Sequence, residues 1–212
     1  MKTILLYGDS NTWGFNPDFT SRENMRFPSE ERWGGVMQRL LGEEYTVLEE
    51  GLGGRTTTLE DPAAPGRSGL SLLAPIVQSH QPLELLVFML GTNDMKNTYR
   101  ASAADIRRGM ELLIQGALNP YWWDTRRPPK LLLISPTHIR NTHVHDFIDD
   151  SSAEKSYELA AQYRQLSETY GCGFLDASAV AQPSEWEGLH LNKAGHAALG
   201  RAAADAVRSI LE

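Results

Sequence analysis

Short apolar runs alternate with longer segments of helical periodicity along the sequence. The apolar runs are predicted strands, at residues 3–7, 45–49, 83–90, 130–135 and 173–176. The predicted helices lie near residues 29–41, 70–80, 102–117, 151–170 and 192–211. This alternation is typical of βαβ units, in which helices cover both faces of a parallel sheet. We therefore predict an α/β fold, a three-layer α/β/α sandwich around a five-stranded parallel sheet.

Length and charge limit the functions open to the chain. Its 212 residues predict one domain, spanning 1–212. With 20 Lys and Arg against 27 Asp and Glu, the formal net charge is −7, which argues against a nucleic-acid partner. No apolar run approaches the ~20 residues of a membrane span, and the N-terminal run is too short for a signal-peptide core. We expect a cytoplasmic protein without a membrane partner, and the single cysteine, Cys172, fits a reducing compartment.

Two polar segments resist assignment to helices or strands, at residues 15–28 and 136–150. Ligands of open α/β sheets bind outside the carboxyl ends of the strands. Because both segments follow a strand end or a strand-to-helix turn, we expect them to wall a site.

The turn after the first strand reads Gly8-Asp9-Ser10. Gly8 allows a tight turn, so that Ser10 falls at the start of a helix above the sheet edge. There its hydroxyl could serve as a nucleophile or only cap the helix. The next strand is followed by a loop containing Gly51, Gly53 and Gly54, which is either a backbone donor site or an ordinary flexible turn.

Further polar groups follow later elements. Asn93 comes after the third strand and carries an amide that could polarise a carbonyl oxygen, or that forms an Asx-turn. Glu187 and His190 precede the last helix, three residues apart. A carboxylate that binds one imidazole nitrogen leaves the other free to act as a base, although a loop histidine beside a chance acid is equally open. Together these groups supply the nucleophile, the base and the oxyanion donors of an acyl-transfer site.

These loops resemble, in order, the conserved blocks of the SGNH (GDSL-type) hydrolases, serine esterases with a flavodoxin-like fold. Gly91-Thr92-Asn93-Asp94 is similar to the asparagine block, and residues 51–57 are similar to the glycine block. Residues 8–14, 49–52 and 55–57 resemble the bacterial arylesterase/acyltransferase branch more closely. The last block departs from the family, since Glu187 stands where Asp is usual.

The resemblance implies a serine esterase for small, acetyl-type carboxylic esters, with acyl transfer as an additional activity. Its implied catalytic residues are Ser10, His190 and Glu187, and its oxyanion donors are Ser10, Gly54 and Asn93. The residues expected to line the substrate pocket, or else to pack and to face solvent, are Trp13, Phe15, Thr92 and Lys96. The resemblance implies no cofactor and no metal, and it favours a homo-oligomer.

Three alternatives stay open on sequence alone. Because Glu187 is one methylene longer than the usual Asp, the chain could be a pseudo-esterase, and replacing Glu187 with Asp is expected to keep or raise activity. A flavodoxin-like binding module could hold a phosphate or flavin at the first helix. A metal site at His138, His143, His145 and Asp146 is disfavoured because their spacing fits no helical face, so we expect an exposed loop that forms a lid or a subunit contact.

Overall fold

The structure, a computed structural model, describes residues 1–212. The parallel strands are β1 (Lys2–Gly8), β2 (Tyr45–Gly51), β3 (Leu85–Met89), β4 (Lys130–Ser135) and β5 (Gly173–Asp176). The helices are α1 (Ser10–Trp13), α2 (Trp33–Leu41), α3 (Gly69–Ser79), α4 (Ala103–Ala117), α5 (Asp150–Tyr170) and α6 (Lys193–Leu211). The predicted three-layer sandwich with a five-stranded parallel sheet is confirmed.

The strands lie in the order β2-β1-β3-β4-β5, and each pair of neighbours is parallel. From β1 the chain continues to β2 at one edge of the sheet, and it then crosses back to β3 on the other side of β1. The direction in which strands are added therefore reverses between β1 and β3. At such a reversal the loops after the two strands diverge and open a crevice at their carboxyl ends. The residues after Gly8 and Met89 therefore meet at one edge of the molecule.

Alternate residues of the strands enter two separate cores. Leu5, Phe88 and Leu133 pack on the face covered by α3, α4 and α5, whereas Ile4, Leu6 and Val87 pack against α2 and α6. Burying each such aliphatic or aromatic side chain contributes about 1.5–3 kcal/mol, which explains why the central strands are apolar on both faces. None of the helices combines the length and apolar character needed to cross a bilayer.

Some element boundaries differ from the prediction. The helix predicted near 29–41 begins at Trp33, because residues from Pro28 onward first form a turn in which the Glu31 amide donates to the Pro28 carbonyl. Sequence spacing also favours a capping box of Ser151 with Glu154, but Asp149 and Ser152 form it, with the Asp149 carboxylate accepting from the Ser152 amide at 3.0 Å. Asn192 caps α6 through the Gly195 amide, as its position predicts.

Close packing brings α1 against the ends of β1 and β2. A Cβ on Gly51 would lie 2.1 Å from the Trp13 amide nitrogen, a distance that real side chains do not reach. Glycine at this position therefore lets the first turn of the site rest directly on the sheet.

Candidate active site

Ser10 begins α1 immediately beyond β1. The cap of this helix is Asp9, whose carboxylate accepts from the Asn11 amide at 2.9 Å, so the Ser10 hydroxyl is not needed as a cap. Instead, its Oγ lies 3.0 Å from His190 Nε2. Ser10 is nearly buried, with 9% of the residue exposed.

His190 bridges Ser10 and Glu187 through its two ring nitrogens. Its Nδ1 lies 2.8 Å from Glu187 Oε2, opposite the nitrogen that faces Ser10. A carboxylate can only accept, so it fixes the proton on Nδ1 and leaves Nε2 as the acceptor for the serine proton. The Phe15 ring packs on the imidazole, with 4.3 Å between the centroids. This orientation is the one that a general base requires.

Glu187 is almost fully buried, with 1% of its side chain exposed. Its Oε1 accepts the backbone amides of Leu189, at 3.0 Å, and of His190. Burial by itself raises the pKa of Glu187, but the hydrogen bond and positive charge of His190, with further hydrogen bonds, outweigh it and lower the pKa to about 2. The carboxylate is therefore ionised at neutral pH, and its extra methylene does not prevent contact with His190.

His145 also binds the Glu187 carboxylate, with its Nε2 2.8 Å from Oε2. The sequence prediction treated His145 as part of an exposed loop, and for this residue it is wrong. The loop between β4 and α5 folds back over the site, so that only 22% of the side chain is exposed. The contact joins residues 42 positions apart, a relationship that no local spacing could indicate.

Asn11 is a second residue that sequence reasoning missed. Its Oδ1 accepts from the Leu191 amide at 2.9 Å, and its Nδ2 donates to the Leu189 carbonyl at 3.5 Å. These bonds join the nucleophile helix to the backbone on both sides of His190. In the sequence the only signal was an amide side chain directly after Ser10, and the structure shows that this side chain is buried.

The predicted oxyanion donors come from the loops after β2 and β3. Gly54 has φ +80°, and its N–H makes no hydrogen bond within the chain. Asn93 Nδ2 donates to the Arg55 carbonyl at 3.0 Å, and its second N–H remains for a ligand. Because Arg55 directly follows Gly54, this bond holds the two donors side by side.

Two buried charged groups brace these loops. The Arg55 guanidinium donates to the Gly8 carbonyl at 2.8 Å and lies over the Tyr7 ring, 4.2 Å from its centroid. Asp94 accepts from the Thr57 amide, with both carboxylate oxygens at 3.0 Å. Burial raises the pKa of Asp94 to about 6, although the Thr57 hydrogen bonds oppose this shift. The glycine loop is thus tied to β1 on one side and to the asparagine loop on the other.

The four residues predicted to line the substrate pocket take different places. Phe15 contacts His190, and Thr92 is buried beside Asn93. The Trp13 ring lies under the Arg26 guanidinium, 4.9 Å away, while Lys96 Nζ lies 4.8 Å from the Phe147 ring centroid. The structure therefore brings Phe15 directly to the reacting groups, and it gives Trp13 and Lys96 other packing partners.

Two large surface cavities are not lined by Ser10. One, of about 590 Å³, is bounded by residues 180–186 and the start of α6, and the other, of about 580 Å³, lies between α2 and β2. Neither is lined by Ser10, Asn93 or His190.

His145, Glu187 and His190 are also the group of side chains best placed to hold a metal ion, with ligand atoms within 4.8 Å of one another. Both histidines already bind the same Glu187 oxygen at 2.8 Å. An ion at this position would take the His190 Nδ1 lone pair and break the bond that orients the base.

Comparison with known proteins agrees with this geometry. Residues 6–198 match the sequence profile of the GDSL-like lipase/acylhydrolase family. The chain belongs to this family.

Solved structures of similar proteins include other members with esterase activity in their names. The aryl esterase of M. smegmatis is 37% identical, with a TM-score of 0.92 and 100% of both chains covered. A carbohydrate acetylesterase family member from Sinorhizobium meliloti is 36% identical over 100% of this chain and 99% of its own, with a TM-score of 0.91. Est24, a carbohydrate acetylesterase from the same organism, is 32% identical, with a TM-score of 0.91 and full coverage of both chains. No curated protein sequence matches the chain.

Proposed function

We propose that this GDSL-family protein is a carboxylic ester hydrolase that cleaves small, acetyl-type esters through an acyl-enzyme. The observation that carries the proposal is the continuous hydrogen-bonded path from Ser10 Oγ through His190 to Glu187, with separations of 3.0 Å and 2.8 Å. A serine hydroxyl becomes a nucleophile when an adjacent base removes its proton during attack. The path supplies that base already oriented.

In the acylation step, Ser10 Oγ attacks the ester carbonyl while His190 Nε2 takes the hydroxyl proton. The oxyanion that forms is stabilised by the backbone N–H groups of Ser10 and Gly54 and by the Asn93 amide. Each such donor typically lowers the barrier by about 3 kcal/mol. The imidazolium then gives its proton to the leaving alcohol or phenol, and Glu187 stabilises its charge in the meantime.

In the deacylation step, His190 removes a proton from water, which attacks the acyl-Ser10 ester. The carboxylic acid leaves, and Ser10 recovers its proton from His190. The names of the relatives describe ester cleavage, so we propose hydrolysis alone, with no metal and no organic cofactor taking part in the step.

The proposed substrate class rests on the surroundings of the catalytic residues and on the names of similar proteins. Phe15 covers the catalytic imidazole, and the large cavities lie elsewhere, which favours a short acyl group. The similar proteins are named as an aryl esterase and as carbohydrate acetylesterases. We therefore propose aryl acetates and acetylated sugars as the first substrates to test, with Trp13, Phe15, Thr92 and Lys96 as the residues that line their path.

Assembly and compartment complete the proposal. Exposed apolar side chains near the site, Trp186 and Val144 among them, favour a homo-oligomer in which these loops meet a second copy. The net charge of −7 favours small-molecule substrates over nucleic acid. The unpaired Cys172 suits the cytoplasm.

The decisive experiment measures hydrolysis of p-nitrophenyl acetate by the parent protein and by Ser10→Ala. We expect kcat/KM to fall by at least about 10³-fold, since the nucleophile of a serine hydrolase carries most of its rate enhancement. Ser29→Ala, at an exposed loop position, is the matched control and should retain full activity. Equal activity of Ser10→Ala and the parent would overturn the proposal.

A further inference from the structure

Glu187 is held by four hydrogen bonds, of which two come from side chains. Its Oε1 accepts two backbone amides, and its Oε2 accepts from His190 Nδ1 and from His145 Nε2. A carboxylate has about four acceptor positions, so each is used. Of the two side-chain partners, His190 is the proposed base. The contact with His145 has no part in the proposed roles of nucleophile, base and orienting acid.

The loop that carries His145 is fixed at several points. The His145 ring stacks on Phe147, with 4.9 Å between centroids and 24° between planes. Asn97, four residues after Asn93, donates its backbone amide to the Phe147 carbonyl at 3.0 Å and its side-chain amide to the Asp146 carbonyl at 3.1 Å. The imidazole therefore approaches Glu187 from a braced segment.

We propose that His145 is a positioning residue, whose Nε2–H fixes the Glu187 carboxylate in the place from which it orients His190. The inference rests on the proposed function, because it concerns the efficiency of the same base. A glutamate has one more rotatable bond than an aspartate, and fixing it carries a larger conformational cost. The hydrogen bond from His145 restricts this rotation, because it holds Oε2, the same oxygen that contacts His190.

The role also accounts for the departure of this chain from the usual aspartate. Both Glu187 Oε2 contacts are 2.8 Å long, so the longer side chain places this oxygen within reach of two rings at once. The rings lie nearly perpendicular, at 80°, with 6.4 Å between their centroids. An aspartate would withdraw the carboxylate by one methylene and could not keep both contacts.

A matched pair of variants tests the contact. In His145→Gln the side-chain amide nitrogen takes about the position of Nε2, whereas in His145→Asn it is one methylene too short to reach Glu187. We expect His145→Asn to lower kcat for p-nitrophenyl acetate about tenfold with KM changed less than twofold, and His145→Gln to stay within about threefold of the parent. His143→Asn, on the exposed part of the same loop, is the control and should match the parent.

A double-mutant cycle with Glu187→Asp then shows whether His145 acts through this carboxylate. With aspartate at 187 the contact is already lost, so adding His145→Asn should change kcat less than twofold. Thermal melting of every variant against His143→Asn identifies loss of fold. If His145→Asn is unstable, the tenfold loss of kcat expected of Glu187→Asp, which breaks the same contact, remains the test. A tenfold loss of kcat caused by His145→Asn in both backgrounds would overturn the proposal. So would a kcat that is unchanged in both His145→Asn and His145→Gln. Failure of the esterase assignment itself would appear separately, as activity that survives Ser10→Ala.

Discussion

Asn11 and Leu191 are 180 positions apart in the sequence, and a hydrogen bond of 2.9 Å joins the Asn11 Oδ1 to the Leu191 amide. Asn11 follows the nucleophile and Leu191 follows the base. The 3.0 Å separation of Ser10 Oγ and His190 Nε2 is thus set by a direct bond between the two segments that carry them. The distance between nucleophile and base depends on a residue that reacts with nothing.

Replacing Asn11 with Ala should therefore reduce turnover without removing any reacting group. We expect kcat to fall about tenfold, because small displacements of a base from its hydrogen-bonding position are costly in rate. Initial rates with p-nitrophenyl acetate measure the effect, and Asn16→Ala, at a half-buried position of the neighbouring loop, is the matched control. A variant of Asn11 as fast as the parent would show that the bond to Leu191 does not set the geometry.

Asn93 supplies the side-chain donor of the proposed oxyanion hole. Asn93→Ala should lower kcat about 10²–10³-fold, with a much smaller change in KM, since the donor acts mainly on charge that develops in the transition state. Steady-state kinetics separate the two constants, and circular dichroism checks that the loss of the bond to the Arg55 carbonyl has not unfolded the loop. A rise in KM alone would instead place Asn93 in substrate binding.

Two replacements of Glu187 separate its charge from its length. Glu187→Gln should lower kcat about 10³-fold or more, because an amide nitrogen facing His190 Nδ1 favours the wrong tautomer of the base. Full activity of this variant would show that the carboxylate does not orient His190.

Glu187→Asp bears on length. The sequence favours unchanged or increased activity, since aspartate is usual in the family. The hydrogen bonds around Glu187 favour the opposite result, a loss of about tenfold, because the shorter side chain loses contact with His145. Comparing kcat of Glu187→Asp with that of the parent decides between these expectations. An increase would support the expectation from the sequence.

His196 makes stability depend on pH. It is buried in α6, its Nδ1 accepts from the Trp33 amide at 3.2 Å, and burial lowers its pKa to about 3. The unfolded chain, with an ordinary histidine pKa, binds this proton from about pH 6.5 downward, so stability falls as the pH drops between about 6.5 and 3. Asp94 acts in the opposite sense between its ordinary pKa and about 6, because the folded state binds its proton first.

His196→Asn removes the titrating group while its side-chain oxygen can still accept from Trp33. Between pH 7.5 and pH 5, the parent should lose about 2 kcal/mol more unfolding free energy than this variant. Urea denaturation at the two pH values measures the difference, in which the contribution of Asp94 cancels. Parallel pH dependence of the two proteins would show that His196 is charged in the folded state.

The sheet and the helices could be predicted because their signals are local. Apolar runs such as residues 83–90 can only be buried strands or helices, and the structure places β3 within that run. The strand ends also indicated Ser10, Gly54 and Asn93, since parallel strands bring their carboxyl ends to one edge.

The contacts of His145 and Asn11 could not be predicted because they depend on the path of loops between distant segments. His145 reaches Glu187 only after residues 136–150 fold back over the sheet edge, and nothing in the spacing of its neighbours encodes that path. The prediction of the α5 cap was wrong for a related reason. Two overlapping capping patterns start at Asp149 and Ser151, and it is Asp149 whose backbone adopts the extended conformation of a cap.

Covalent labelling with a fluorophosphonate tests most directly whether His190 activates the Ser10 hydroxyl as a nucleophile. Intact-mass spectrometry should show one adduct per chain, peptide mapping should place it on Ser10, and His190→Ala should react at least about 10²-fold more slowly. Modification of another residue, or labelling of Ser10 at the same rate without His190, would contradict the account.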